Sequence, residues 1–227
     1  MLKKGVILLS GGLDSATTAA IAIDMGFNLS ALTFFYGQRH DIEIKYAERL
    51  VSFFKIENHV KVEIPTEIFR SALTKASGID VPKNRGIDTS DIPETYVPAR
   101  NIIFLSYALA YAESSGASDI FIGANAVDYS GYPDCRGEFF KTFKKMADIG
   151  TKAGVEGNGF NIHTPILDMT KPEIIREGVR LGMDYSLTHS CYDPSPEGYS
   201  CGSCDSCILR HNGFIDAGVA DPTKYRG

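Results

Sequence analysis

An apolar run, Ile7-Leu8-Leu9, passes through Ser10-Gly11-Gly12-Leu13-Asp14-Ser15 directly into small residues at helical spacing. A strand that becomes a helix across two glycines constrains the fold of this chain more than any other stretch. Without Cβ atoms the backbone turns sharply and brings its N–H groups against an anion at the positive end of the helix. Ser10 and Ser15 add hydroxyl donors, whereas Asp14 would repel a phosphate. A carboxylate here makes sense with Mg²⁺ between it and phosphate oxygens, so the expected ligand is Mg-ATP. The stretch is not a Walker loop, which needs Gly-x-x-x-x-Gly-Lys-Ser/Thr, and no Gly-x-Gly-x-x-Gly fingerprint occurs. With no lysine for a γ-phosphate, the cradle suits ATP whose pyrophosphate leaves, so that the α-phosphorus is attacked and an acyl or imidoyl adenylate forms. A plain packing turn would explain the glycines but not the aspartate with its flanking serines.

Periodicity along the chain alternates between two classes. Apolar runs at 6–9, 29–36, 60–64 and 120–123 are short and β-branched or aromatic, as buried parallel strands are. Between them lie helical stripes: Ala16, Ala19, Ala20 and Ile23, stopped by Gly26; Tyr46, Leu50, Phe53 and Phe54; and Ile103, Tyr107, Ala110 and Tyr111. Thr170-Lys171-Pro172-Glu173 reads as a capping box opening a helix that ends near Gly182. The βαβαβ order predicts an α/β fold with a doubly wound, mostly parallel sheet. Two segments, 77–95 and 150–161, lack a period and read as loops. The first either closes over the nucleotide or is a surface excursion. No repeat or linker divides the 227 residues, so one domain is expected over 1–227. A net charge of −5 argues against a broad nucleic-acid footprint, and no long uncharged apolar run spans a bilayer. The N-terminus enters a strand rather than a signal-peptide core, which makes the cytoplasm the expected compartment.

Four of five cysteines, Cys191, Cys201, Cys204 and Cys207, have the spacing C-x₉-C-x₂-C-x₂-C. In a cytosolic chain that is a metal site before it is a disulfide framework. Four thiolates fit tetrahedral structural zinc, stapling a small C-terminal knuckle at about 188–212. An iron–sulfur cluster is the rival, but the ferredoxin-type remote cysteine beside a proline is missing. Cys135, the remaining cysteine, is expected to be a small buried hydrophobe.

The loop at 10–15 resembles that of the ATP pyrophosphatase, or PP-loop, superfamily. Together with Phe35-Tyr36-Gly37-Gln38-Arg39-His40, Tyr96-Val97-Pro98-Ala99-Arg100-Asn101, Asp128-Tyr129-Ser130-Gly131-Tyr132-Pro133-Asp134-Cys135-Arg136 and the C-terminal cysteines, it makes nearly the whole chain similar to the 7-cyano-7-deazaguanine synthase family. The resemblance implies an adenine nucleotide alpha-hydrolase-like fold. It also implies an ATP-dependent carbon–nitrogen ligase that turns the carboxylate of 7-carboxy-7-deazaguanine into a nitrile with ammonia, on the route to queuosine. Adenylation makes the carboxylate an electrophile, ammonia gives an amide, and a second activation at the same cradle removes the amide oxygen. Catalysis would be charge neutralisation and positioning, without a Cys-His or Ser-His pair.

On that footing Leu8, Leu9, Ser10, Gly11, Gly12, Leu13, Asp14, Ser15, Ala16, Thr17 and Thr18 are expected to contact ATP, with Asp14 on Mg²⁺. Asp14, Ser15 and Arg100 would carry catalysis, Arg100 as a phosphate or carboxylate partner unless it is merely a surface pair. Tyr129, Tyr132 and Asp134 would hold the deazaguanine; Asp134 reads equally as the cap of a helix starting near Gly137. Arg39, His40 and the Lys141, Lys144, Lys145 group are weaker candidates, the lysines reading as a solvated face. The remaining histidines, including His189, read as structural. The expected partners are small molecules, not nucleic acid or membrane, in a homodimer. A tRNA-thiolating adenylating enzyme of the same superfamily and a nucleotide sensor are the alternatives; acidity and the expectation of no appended RNA-binding domain disfavour the former.

Overall fold

Strand β1 (Lys3–Leu8) is buried on both faces: Val6 and Leu8 enter one apolar core, Ile7 and the following Leu9 the other. That period-2 split of a wholly apolar run is the physical basis of a two-faced sheet. The computed structural model describes residues 3–38, 42–84, 92–127 and 131–226. After β1 come α1 (Leu13–Asp24), β2 (Phe27–Phe35), α2 (Ile42–Phe53), β3 (Asn58–Glu63), α3 (Arg100–Ser115), β4 (Asp119–Ile122), α4 (Gly137–Gly150), α5 (Lys152–Val155), β5 (Asn161–His163), α6 (Lys171–Arg180) and α7 (Asp205–Ala217). The five strands run parallel in the order β3-β2-β1-β4-β5. Order reverses at β1, which puts a crevice at the carboxyl ends of β1 and β4, where ligands bind in doubly wound sheets.

Each face has its own helices. Leu105, Ala108 and Ala112 of α3 join Phe140 and Phe143 of α4 over one face. On the other, Ala16 and Ala19 of α1 pack with Leu50 of α2, Ile174 and Ile175 of α6 and Phe214 of α7. The capping box forms as expected: Thr170 and Glu173 bond reciprocally, and α6 gives way to Gly182 at φ +78°. No described helix is long and apolar enough to cross a membrane.

Three expectations need correction. The third stripe holds only in part: Ile103 and Tyr111 pack partly buried against the core, but Tyr107 is 45% exposed and Ala110 is exposed, and the buried face of the helix is Leu105, Ala108, Leu109 and Ala112. Small alanines let α3 sit close to the sheet, and Tyr107 instead lies edge-on to Phe34 at the margin. Large apolar residues that close a stripe also stay half out, as Ile23 and Phe53 do. The segment 150–161 is not all loop, since it contains α5, capped by Thr151 Oγ1 accepting from Gly154 N–H, and the first residue of β5. Three residues are too short for a readable period. In 77–95, the described residues 81–84 form a wall of the cysteine knuckle: Val81 packs with Cys191, Cys204 and Cys207, Lys83 Nζ lies 2.7 Å from Asp193, and Asn84 N–H donates to Ser203 O.

Candidate active site

The turn after β1 is held from two sides where no side chain could fit. A Cβ on Gly11, at φ +84°, would lie 2.5 Å from the Glu43 carbonyl oxygen, and one on Gly123, after β4, would lie 2.9 Å from the Asp14 carbonyl carbon. Gly11 is therefore required twice, by its left-handed backbone and by the approach of α2. Gly12, the N-cap of α1, offers no side-chain cap, so the first-turn N–H groups face the crevice. Ser15 braces the turn from within: its hydroxyl donates to Gly12 O at 3.0 Å and lies 3.2 Å from Ser10 Oγ. Thr17 and Thr18 turn back onto the carbonyls of Leu13 and Asp14, which is a helix-internal use. Leu9 pairs its N–H with Leu32, and Leu13 and Ala16 are core.

Asp14 has a partner that sequence reading missed. Lys171, 6% exposed on the first turn of α6, donates from Nζ to Asp14 Oδ1 at 2.6 Å. A lysine inside an apolar helical stripe was the available signal; the capping box masked it by accounting for its neighbours.

The loop opens into a cavity that also takes in Gln38, Glu43, Arg100, Asn101, Phe104, Asn125, Tyr132, Cys135 and the knuckle residues His189, Ser190, Cys191 and Tyr192. Arg100 is thus not a surface pair. It begins α3 behind Ala99, a left-handed residue at φ 55° whose N–H donates to Tyr96 Oη at 3.1 Å. Burial opposes its charge, but Tyr36, Cys135, Asp134 and Tyr132 surround it and hold its pKa above the ordinary arginine value. Burial in turn pushes Tyr36 and Tyr132 up, and Cys135 to about 12, so that thiol stays protonated and inert at neutral pH.

Tyr132 lines the cavity with its hydroxyl 2.7 Å from Thr95 Oγ1. Asp134 does not line it. Its Oδ2 accepts from Asn101 N–H at 3.0 Å, so it caps α3 rather than the helix at Gly137, whose N-cap Arg136 makes no side-chain bond. Asn101 Nδ2 returns bonds to Asp134 O and Cys135 Sγ. A cap donated from a distant loop has no local spacing and escapes sequence reading. Tyr129, Arg39 and His40 lie outside the described residues. Lys141 and Lys145 are exposed and Lys144 pairs with Asp148, the solvated face expected.

Glu43 is the other missed group. It is half-buried in the first turn of α2, and burial lifts its carboxyl to about 7 against the opposing pull of Arg100 and a hydrogen bond from Gln38.

The four cysteines converge, with all four sulfurs within 4.8 Å of one another. Gly202 at φ +74° turns the chain so that Ser203 and Cys204 N–H groups donate to Cys201 Sγ, and Asp193 and Cys201 N–H groups donate to Cys191 Sγ. Backbone donors aimed at sulfur suit thiolates held on a metal, and a closed set of four fits zinc. The knuckle adjoins the nucleotide loop: His189, two residues before Cys191, donates its N–H to Gly11 O at 2.9 Å and stacks its ring on Tyr46. Histidine is therefore bracing, not a ligand of the cluster.

The sequence model described as "Queuosine biosynthesis protein QueC" matches residues 4–218. The chain belongs to the QueC family. Relatives named 7-cyano-7-deazaguanine synthase include those of Desulfatibacillum aliphaticivorans, 58% identical over 98% of this chain and 97% of the relative, and Paramagnetospirillum magneticum strain AMB-1, 56% identical over 99% of each. Among solved structures, NMN synthetase from Francisella tularensis superposes with a TM-score of 0.50 at 18% identity, covering 96% of this chain and 79% of that one. That likeness concerns the fold alone, and it agrees with the doubly wound QueC-family sheet described above.

Proposed function

We propose that this chain is an ATP-dependent carbon–nitrogen ligase that makes 7-cyano-7-deazaguanine from 7-carboxy-7-deazaguanine and ammonia. The observation that carries the reading, beyond family membership, is one cavity shared by the 10–15 loop, Arg100 and Tyr132. The uncapped first turn of α1 receives pyrophosphate, and Lys171 adds a buried positive charge beside it. Arg100 is the fixed cation for the substrate carboxylate or the α-phosphate, and the Tyr132 ring offers a face to the base. Asp14 fits Mg²⁺ as one carboxylate complementing phosphate oxygens, the usual pattern for that ion. Bound there, Mg²⁺ would neutralise charge on the departing pyrophosphate; Lys171 shares that task and keeps Asp14 in place.

The chain's residues then serve two activations in turn. With the carboxylate held at Arg100, pyrophosphate departs toward α1 and an acyl adenylate remains; ammonia displaces AMP to give the amide. The amide oxygen takes the second adenylyl group, and loss of AMP leaves the nitrile. Zinc on the four cysteines has a structural role, fixing His189 against Gly11. The reading includes a single domain, a cytoplasmic location and a homodimer. Product analysis by mass after incubation with acid, ATP, Mg²⁺ and ammonia tests it: nitrile with AMP is expected, and adenylation without any amide or nitrile would refute it.

A further inference from the structure

We propose that Glu43 is the general base of the nitrogen chemistry, a role that rests on the function proposed above. In forming the amide, the C–N bond grows from the ammonia lone pair, the C–O bond to AMP breaks, and the nitrogen must shed one proton. In forming the nitrile, nitrogen sheds two more, one as the amide oxygen is adenylated and one as AMP leaves. A group that accepts protons repeatedly, and returns them to solvent, must stand beside the reacting carbon.

Glu43 has that position. Its backbone touches the nucleotide loop at Gly11, its side chain lines the same cavity, and Arg100 and Gln38 are its neighbours. The competing carboxylates are engaged: Asp14 is bonded to Lys171, and Asp134 caps α3 away from the cavity. Among the described residues, the other titratable groups of the cavity wall, besides Cys191 of the metal site, are Asp14, Tyr36, Arg100, Tyr132, Cys135, His189 and Tyr192. Tyr36, Arg100, Tyr132 and Cys135 are all held above their ordinary values, so none changes charge near neutrality. Of the two that remain among the described residues, Tyr192 is a phenol, and His189, the competing base, has its ring stacked on Tyr46. A carboxyl lifted to about 7 by burial matches the proton affinity a base needs at neutral pH. If Glu43 served only the dipole of α2, its loss would leave the chemistry intact.

The test uses the full chain as wild type, Glu43→Gln, Glu43→Asp and His189→Asn, each checked for an unchanged melting temperature. Acid-dependent exchange of pyrophosphate into ATP reports adenylation, which needs no base. Mass analysis reports amide and nitrile. Glu43→Gln should retain exchange while losing about 10²-fold or more of nitrile formation. With the amide as substrate, so that the titration of ammonia does not enter, the wild-type rate of nitrile formation should fall below about pH 7, an acid limb retained by Glu43→Asp and His189→Asn and absent from the residual activity of Glu43→Gln. Loss of exchange in parallel with nitrile, or persistence of the limb in Glu43→Gln, would overturn the proposal; so would a limb that vanishes in His189→Asn. A wild type that exchanges pyrophosphate but makes no amide or nitrile would instead sink the function itself, leaving Glu43 no step to serve.

Discussion

Lys171 reaches Asp14 from the far side of the loop, 157 positions along the chain, and is itself almost wholly enclosed. Removing one partner of such a pair leaves the other uncompensated, which costs about 3–5 kcal/mol when both are buried. Asp14 keeps 23% of its side chain exposed, so solvent screens it and about 1–2 kcal/mol is the better expectation. Asp14→Ala should therefore remove most turnover and also lower the melting temperature. Lys171→Met should do the same, and the double variant should be more stable than the two losses added, as a double-mutant cycle measures. Strict additivity would mean that the pair contributes nothing to folding. Asp134→Ala, by uncapping α3, should cost about 1 kcal/mol, or about 2–4 °C in a domain of this size. That helix carries Arg100, so weaker binding of the acid is expected with it.

Two elements are fastened by side-chain clusters rather than by a large core. In the knuckle, residues 81–84, 191–207 and the start of α7 meet around the four sulfurs. Cys204→Ser should lose zinc and stability, whereas Cys135→Ser should keep metal and appreciable activity. Because His189 ties this unit to Gly11, chelation should weaken ATP binding too; iron and colour in anaerobically purified protein would refute the zinc assignment. Edge strand β5 is held to β4 by Asp119, whose Oδ1 is 2.7 Å from His163 Nε2 and accepts from Asn161, while Oδ2 accepts from Ser118. Burial alone would raise the Asp119 carboxyl, but these bonds outweigh it and hold it below the ordinary carboxylate value. A depressed folded pKa gives stability that is complete above the unfolded value of about 3.9 and is lost as pH falls through the folded one. Urea midpoints from pH 6 to about 2 should show that loss in wild type and a flatter acid limb in Asp119→Asn.

At the scale of the molecule, one crevice at the switch point of the sheet must serve two activations. Given the amide of the deazaguanine, ATP and Mg²⁺ without ammonia, the enzyme should form nitrile, because nitrogen is already in place. Asp14→Ala should fail on acid and amide alike. Wild-type dehydration of the amide by that variant would require a second activation site and refute the single-cradle mechanism. Sedimentation of the wild type at micromolar concentration tests the homodimer, for which a monomer would be the contrary result.

Sequence alone determined four of the five strands, because β1, β2 and β4 carry apolar runs buried in the core and β3 a run beside them, and glycines at fixed points stop the helices, whereas β5, three residues long, shows no period. It determined the nucleotide loop and the cysteine knuckle as well, since each is built from residues close together in the chain, where spacing maps directly onto geometry. Helix faces were only partly legible: a stripe records which residues are apolar, while α3 turns toward the sheet the side whose alanines allow close approach. Arg100 in a shared cavity, Lys171 on Asp14, Asp134 as the cap of α3 and Glu43 against Gly11 were settled only by tertiary structure. Each joins elements far apart in sequence, and a charge or hydrogen bond whose partner comes from another element leaves no period for a sequence to display.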